Sequence, residues 1–470
     1  MAADALLQAH TKSLKGFMMM KRFLAAFLCL LFLLPASACS EKGADTVTTA
    51  EAPLPSESKP QEVETAPPTG EEAKTEERIE YNEHVDTPLT PELLATIPIA
   101  REGMTTDELR QICVDYVKLS VSFQWLPSKS FSYVTTSMGQ EVNFYEGKLY
   151  GGLPYVNVAS GNLYRALEMY DSETGVMNVN GFANNSENKL YFGTACSGTT
   201  GWGWSRVINS AVCAWTAQLN ANAGLIPVGP YTYDLSTFRF GEDGKEDCNT
   251  IVKRNGKQVM FESYAMTKMA DCFVNRGHVR MNGKDPVVVR NEDGTINGEK
   301  SYIVQVEQGF YTNGANHKRV SAGGFEYDIQ GNDGLNGDGS EYYFTFEDLY
   351  NTYYLPHTFK EFHGQDPIEP GEASLDLTSD TVNIDALSAA ILTANYSVSD
   401  IFTVLIDSEG KELLRYPFRS DCHYDRVFKM RSVIPKAWLW QYQDKGCTVR
   451  FEVQLGNGEL VTAYSGKLVP

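Results

Sequence analysis

Leu190-Tyr191-Phe192-Gly193-Thr194-Ala195-Cys196-Ser197-Gly198 passes from a strand-like apolar segment into a predicted helix opened by Cys196, and Trp204–Leu219 beyond it reads as helical by its small and apolar residues. A helix start presents amides that lack a partner in the helix, and a partial positive charge; both favour thiolate over thiol. Further along, Asp271-Cys272-Phe273-Val274 and His278-Val279-Arg280-Met281 read as two short strands joined by Asn275-Arg276-Gly277, which puts an imidazole at a strand start. Tyr302-Ile303-Val304-Gln305-Val306 continues the strand run, as does Val287-Val288-Val289, with a loop over Asn291–Gly298 between them. Upstream, Thr105-Thr106-Asp107-Glu108 forms a capping signature ahead of Leu109, Ile112, Cys113, Tyr116 and Val117 at helical spacing, predicting a helix to about Gln124. Helix first and antiparallel strands after it give an α+β fold class.

The chain has 470 residues with a formal charge of −20, 42% apolar and 11% aromatic residues. An acidic balance argues against a nucleic-acid partner, because phosphates are held by a basic face. The composition also excludes a wholly disordered chain, a coiled coil and a collagen.

Lys21-Arg22 precedes the uncharged run Phe23–Leu34, 12 residues long. A bilayer crossing needs about 20 apolar residues, so this run reads as a secretory signal peptide. Its end, Leu34-Pro35-Ala36-Ser37-Ala38-Cys39, resembles the lipobox of bacterial lipoproteins. That resemblance implies cleavage before Cys39, lipidation there, and a place on the extracytoplasmic face of the cell membrane; plain secretion after Ala38 is the alternative. Met1–Phe17 fits no part of a signal, which favours Met18, Met19 or Met20 as the start. From Ser40 to Glu92 the chain holds 14 acidic and 4 basic residues and, apart from Tyr81, no aromatic. Such a stretch buries too little apolar surface to offset ordering entropy and is expected to act as a disordered spacer.

Beyond Cys29 and Cys39 the cysteines are Cys113, Cys196, Cys213, Cys248, Cys272, Cys422 and Cys447. This odd number leaves at least one unpaired within the monomer, and Cys422 with Cys447 is a candidate disulfide. No Cys-x-x-Cys pair supports a zinc or redox site, and no metal or cofactor is expected. A thiolate nucleophile needs a base. His278, His317, His357, His363 and His423 are available in the body, and His278 is favoured; His357 and His363 read as loop residues.

Tyr150-Gly151-Gly152-Leu153-Pro154-Tyr155-Val156, Thr194-Ala195-Cys196-Ser197-Gly198 and Gly277-His278-Val279, in that order, resemble the NlpC-type, papain-like cysteine peptidases of bacterial cell walls. The resemblance covers roughly 150–310. It implies Cys196 as nucleophile, His278 as base, a polar residue on the following strand as its orienter, and Tyr155 near the reacting carbonyl. Within Ile303–Gln308, Gln305 and Glu307 share one face and Gln308 the other. Glu307 is favoured because a carboxylate both orients and stabilises an imidazolium; Gln305 and Gln308 remain alternatives. The implied substrate is a peptide bond of cell-wall muropeptides. The sequence departs from the family pattern at Ala195, where an Asp is usual, and at Asn157-Val158, where Trp and Gly are usual.

The expected organisation is a signal peptide over 1–38, a lipidated Cys39 and acidic linker over 39–98, a peptidase domain over 99–366 and a β-sandwich of immunoglobulin-like type over 367–470. The last follows from short strand-like segments at Ser374–Leu377, Thr381–Ile384, Ile401–Asp407, Val427–Val433, Thr448–Leu455 and Leu460–Leu468. Two rival readings stay open: a non-catalytic binder on the same scaffold, and an amidase or acyl transferase using the same dyad.

Overall fold

The computed structural model describes residues 83–134, 141–156, 161–179, 193–209, 225–233, 247–309, 318–363, 368–420 and 422–470. The signal segment, Cys29, Cys39, the acidic stretch to 82, Asn157-Val158, Cys213 and His317 lie outside the described residues. Residues Glu77–Pro470 form one compact unit. It is mixed α and β, with several antiparallel sheets, and holds two large apolar cores. Among the described residues no helix is long and apolar enough to cross a membrane.

The leading helix, Thr106–Ser122, starts at a capping box: the Thr105 hydroxyl accepts from the Glu108 amide, and the Glu108 carboxylate accepts from the Thr105 amide at 2.7 Å. These bonds satisfy amides that the helix leaves open. Its inward stripe is Leu109, Ile112, Cys113, Tyr116, Val117 and Val121.

Beside it lies a sheet whose strand order is Gly331–Asn332, Tyr302–Gln308, Val279–Asn282, Cys272–Val274, Leu355–Phe359 and Leu225–Pro227, with Tyr343–Thr345 also paired to Tyr302–Gln308. Every pairing in it is antiparallel. A second, mixed sheet of short strands is built around Gln124–Pro127 and Tyr150–Gly151.

The helix Cys196–Ser205 is wedged between the leading helix and the antiparallel sheet. A side chain at Gly203 would strike Val117 of the leading helix, so glycine there lets the two helices approach. Trp202 and Trp204 are buried at 2% and 0% exposure, and the Trp204 indole donates to the Ala270 carbonyl at 2.8 Å. They are core packing.

The second core is closed by two sheets. One runs Ala373–Leu375, Ile391–Ala394, Val427–Lys429; the other runs Thr381–Val382, Leu460–Leu468, Thr448–Leu455, Val398–Ile406, Glu412–Arg419.

Several expectations are corrected. The tether does not reach residue 98: Leu89, Leu94 and Ile97 are buried in the first core, and Thr90 caps a helix at Pro91–Ala95. The net negative charge of that stretch masked three core anchors. The helix read at Trp204–Leu219 spans Cys196–Ser205, and residues 210–224 lie outside the described residues. Two helices, Cys248–Asn255 and Lys257–Ala265, lie where the sequence announces none. Each is about two turns long, and Gly256 at φ +78° breaks them apart, so neither shows enough periodicity to be seen. Val287–Val289 makes only an isolated bridge from Val287 to Tyr302. In the second core, Thr381–Ile384 is a two-residue strand followed by the helix Ile384–Ala389, capped by Asn383. Cys422 and Cys447 are not bridged to each other.

Candidate active site

Cys196 is the first residue of its helix. The N-cap is Ala195, extended at φ −97° and ψ 176°, and it has no side chain with which to cap the first turn. An Asp at this position would carry an acceptor suited to those amides; alanine leaves them open to another oxygen. Thr194 bridges Tyr155 in parallel, so the Tyr155 segment runs alongside the approach to Cys196. Tyr155 is half-buried, and its carbonyl accepts from the Tyr133 hydroxyl.

His278 is placed by its turn. The Asn275 carboxamide oxygen accepts from the Gly277 and His278 amides at 2.9 and 2.8 Å, and the Asn275 amide donates to the His278 carbonyl at 3.0 Å. This Asx turn explains why a histidine after Asn-Arg-Gly stands at a strand start. The ring and the Val279 amide lie near enough to the Cys196 sulfur to act on its ionisation. Nε2 of His278 meets Glu307 Oε2.

Glu307 lies on Tyr302–Gln308 and is 1% exposed. The register Val306↔Met281 and Gln305↔Asn282 sets Glu307 opposite Arg280. Gln305 donates to the other Glu307 oxygen at 2.8 Å. Gln308 points away and donates to the Leu153 carbonyl at 2.6 Å. Of the three polar residues on this strand, Glu307 therefore meets the imidazole, Gln305 supports Glu307, and Gln308 holds the Gly152–Leu153 turn.

Burial pushes the Cys196 thiol up, but the His278 charge, the hydrogen bond from His278 and the Val279 amide outweigh it and hold the thiol below its ordinary value. Burial disfavours the His278 cation, yet the charges on Glu307 and Cys196 raise its pKa well above the ordinary histidine value. The two shifts together favour a thiolate–imidazolium pair. Cys196 is 7% exposed and the His278 side chain 21%.

Two residues with no role assigned from the sequence belong to this site. Arg280 approaches Glu307 with Nε at 3.3 Å, and Tyr354 accepts from Arg280 at 2.9 Å. Arg280 was readable as a same-face neighbour of His278, two residues on along a strand. Tyr354, distant in sequence, carried no such signal.

The other histidines stand apart. His357 is not in a loop: it is fully buried in Leu355–Phe359, with Nε2 facing the Tyr231 and Tyr233 hydroxyls at 3.3 and 3.0 Å. His363 closes a 3-10 turn, and His423 is buried against Gly201. Among the described residues no group of three His, Cys, Asp or Glu side chains is arranged to hold a metal ion. A groove on the second core, lined by Glu372, Ser374, Thr393, Asn395 and Thr462 among others, contains no histidine or cysteine.

No family model, curated protein or solved structure matches this chain.

Proposed function

We propose that this chain is a cysteine peptidase of the NlpC type that hydrolyses peptide bonds of cell-wall muropeptides, held on the outer face of the cell membrane by lipid at Cys39. The observation that carries the reading is a thiol at a helix start beside a histidine whose ring rests on a buried carboxylate. A helix followed by an antiparallel strand bearing the base, then a strand bearing the orienter, supports a papain-like core. Sheets of three and five strands sharing one core support an immunoglobulin-like sandwich at the C-terminus.

In this reading the Cys196 thiolate attacks the carbonyl carbon and forms a C–S bond. The oxyanion is taken by the Cys196 amide at the uncapped helix start. The tetrahedral species collapses, the C–N bond breaks, and the His278 imidazolium gives its proton to the leaving amine. Water then loses a proton to His278 and attacks the thioester, releasing the acid and restoring the thiolate–imidazolium pair. Glu307 holds the ring in one orientation and stabilises its charge. Tyr155 stands beside the acyl group.

The test is product analysis by mass spectrometry after incubating the full chain with purified muropeptides. The expected result is a pair of fragments whose summed mass exceeds the substrate by one water, and their loss in Cys196→Ala. Binding without turnover, or equal turnover by Cys196→Ala, overturns the reading. A product carrying an added amine in place of water identifies an acyl transferase instead.

A further inference from the structure

Arg280 is 8% exposed, and its guanidinium lies 4.2 Å from the Phe344 centroid and 4.4 Å from that of Tyr354, two rings set edge to face at 80° to each other. Nε faces Glu307 at 3.3 Å, Nη1 donates to the Gln305 carboxamide oxygen, and Nη2 donates to the Tyr354 hydroxyl at 2.9 Å. Gln305 in turn donates its amide to Glu307. The carboxylate that meets His278 is thus gripped from one side by a cation and from another by an amide that the same cation orients.

We propose that Arg280 is a positioning residue for the thiol–imidazole pair: it fixes Glu307 in place and offsets part of its negative charge, so that His278 holds its proton firmly enough to activate Cys196 but can still release it to the leaving amine. The proposal rests on the peptidase reading above. A buried carboxylate alone beside an imidazolium would make a poor acid of it, because the proton transfer that ends the first half-reaction would run uphill. A fixed cation on the far side of the carboxylate weakens that hold. The fork matters here, since a guanidinium carries separate N–H groups to Glu307, Gln305 and Tyr354 while packing against aromatic rings.

The groups facing this cluster from the surrounding elements are few. Cys196 comes from its helix, His278 and Arg280 from Val279–Asn282 and its leading turn, and Gln305 with Glu307 from Tyr302–Gln308. Tyr342 stands before the strand Tyr343–Thr345 and Tyr354 before Leu355–Phe359. The charge of Arg280 acts on both tyrosine hydroxyls, whose pKa values burial raises. Arg280 is the one cation among these groups besides protonated His278.

The experiment measures the pH dependence of Cys196 alkylation by iodoacetamide, which needs no substrate, alongside kcat and KM on muropeptides. It compares the full chain with Arg280→Met and Arg280→Lys. Removing a cation raises the pKa of both members of the pair. The thiolate midpoint and the alkaline limb of kcat/KM in Arg280→Met should therefore move up by about one pH unit, with kcat lowered about tenfold or more and KM held within about twofold. Arg280→Lys keeps the charge but not the planar fork, so its limbs should stay near those of the parent while kcat still falls. Unmoved limbs in Arg280→Met, or an unchanged kcat in Arg280→Lys, overturn the proposal. Should Arg280→Met fail to fold, the Arg280→Lys outcome still decides the positioning claim. A parent thiol that titrates like a free cysteine removes the peptidase reading itself, whereas a parent with an early midpoint and insensitive Arg280 variants removes only this inference.

Discussion

Arg165 and Asp400 form an ion pair across the two cores, Nε to Oδ1 at 3.2 Å, with side chains 0% and 1% exposed. Arg165 also donates to the Ser399 and Ser420 carbonyls at 2.6 and 2.9 Å, and the Asn162 carboxamide donates to the Ser399 hydroxyl at 2.8 Å. Asp400 is shared with Arg419, which also meets Glu168. The second core is therefore bonded to the body that carries Cys196, not strung beside it. Asp400→Asn strands a buried guanidinium, and loss of about 3–5 kcal/mol is expected. Thermal unfolding of the full chain should show one lowered transition; an unchanged Tm would mean that the pair contributes nothing.

Gly201 sits on the Cys196 helix where a methyl group would overlap the His423 ring of the second core. Gly201→Ala should destabilise by about 1–3 kcal/mol through overpacking. Because the strain falls on the Cys196 helix, kcat should drop as well. A stable Gly201→Ala variant with parental kcat would show that His423 yields freely.

Selective alkylation should distinguish Cys196 from its buried neighbours. Burial raises the thiols of Cys113, Cys248 and Cys272, while Cys196 is held below the ordinary value despite its burial. At pH 6, peptide mapping after brief iodoacetamide treatment should find Cys196 modified first among the described cysteines. Modification of Cys422, the most open of them, ahead of Cys196 would contradict the thiolate assignment.

Glu307→Gln keeps the shape and removes the charge that raises the His278 pKa. The imidazolium then loses its proton at lower pH, so the alkaline limb of kcat/KM should shift downward. The expected fall in kcat is about 10²-fold, while Cys196 alkylation at pH 6 is not slowed, because the same negative charge holds the Cys196 pKa up. An unmoved limb would assign the raised His278 value to the thiolate alone.

His357 supplies an acid-sensitive element away from the chemistry. Burial pushes its pKa down from 6.5 to about 4, against a hydrogen bond with the Leu355 carbonyl. The unfolded chain takes up a proton near 6.5 that the folded chain refuses. The contribution is whole above that pH and is lost as pH falls toward 4, by about 3 kcal/mol at the lower end. Urea titrations across this window should show a shallower decline in His357→Gln than in the parent. Parallel declines would show that His357 protonates without cost.

What the sequence alone determined is local. Thr105 and Glu108 announce the leading helix because a capping box is a four-residue pattern. Asn275-Arg276-Gly277 turns the chain and delivers His278 to a strand start, and period-two alternation puts Gln305 and Glu307 on one face. Cys196 opens its helix because the strand-like segment ends at Ala195. Tertiary structure decided the rest. Only strand register set Glu307 across from Arg280, and only that register separated the roles of Gln305 and Gln308. Burial alone converted Leu89, Leu94 and Ile97 from tether to core, and His357 from loop to buried strand. The ties of Arg165 to Asp400 and of Gly201 to His423 join residues more than two hundred positions apart. No local pattern encodes such contacts, because they depend on how two independently closed cores meet.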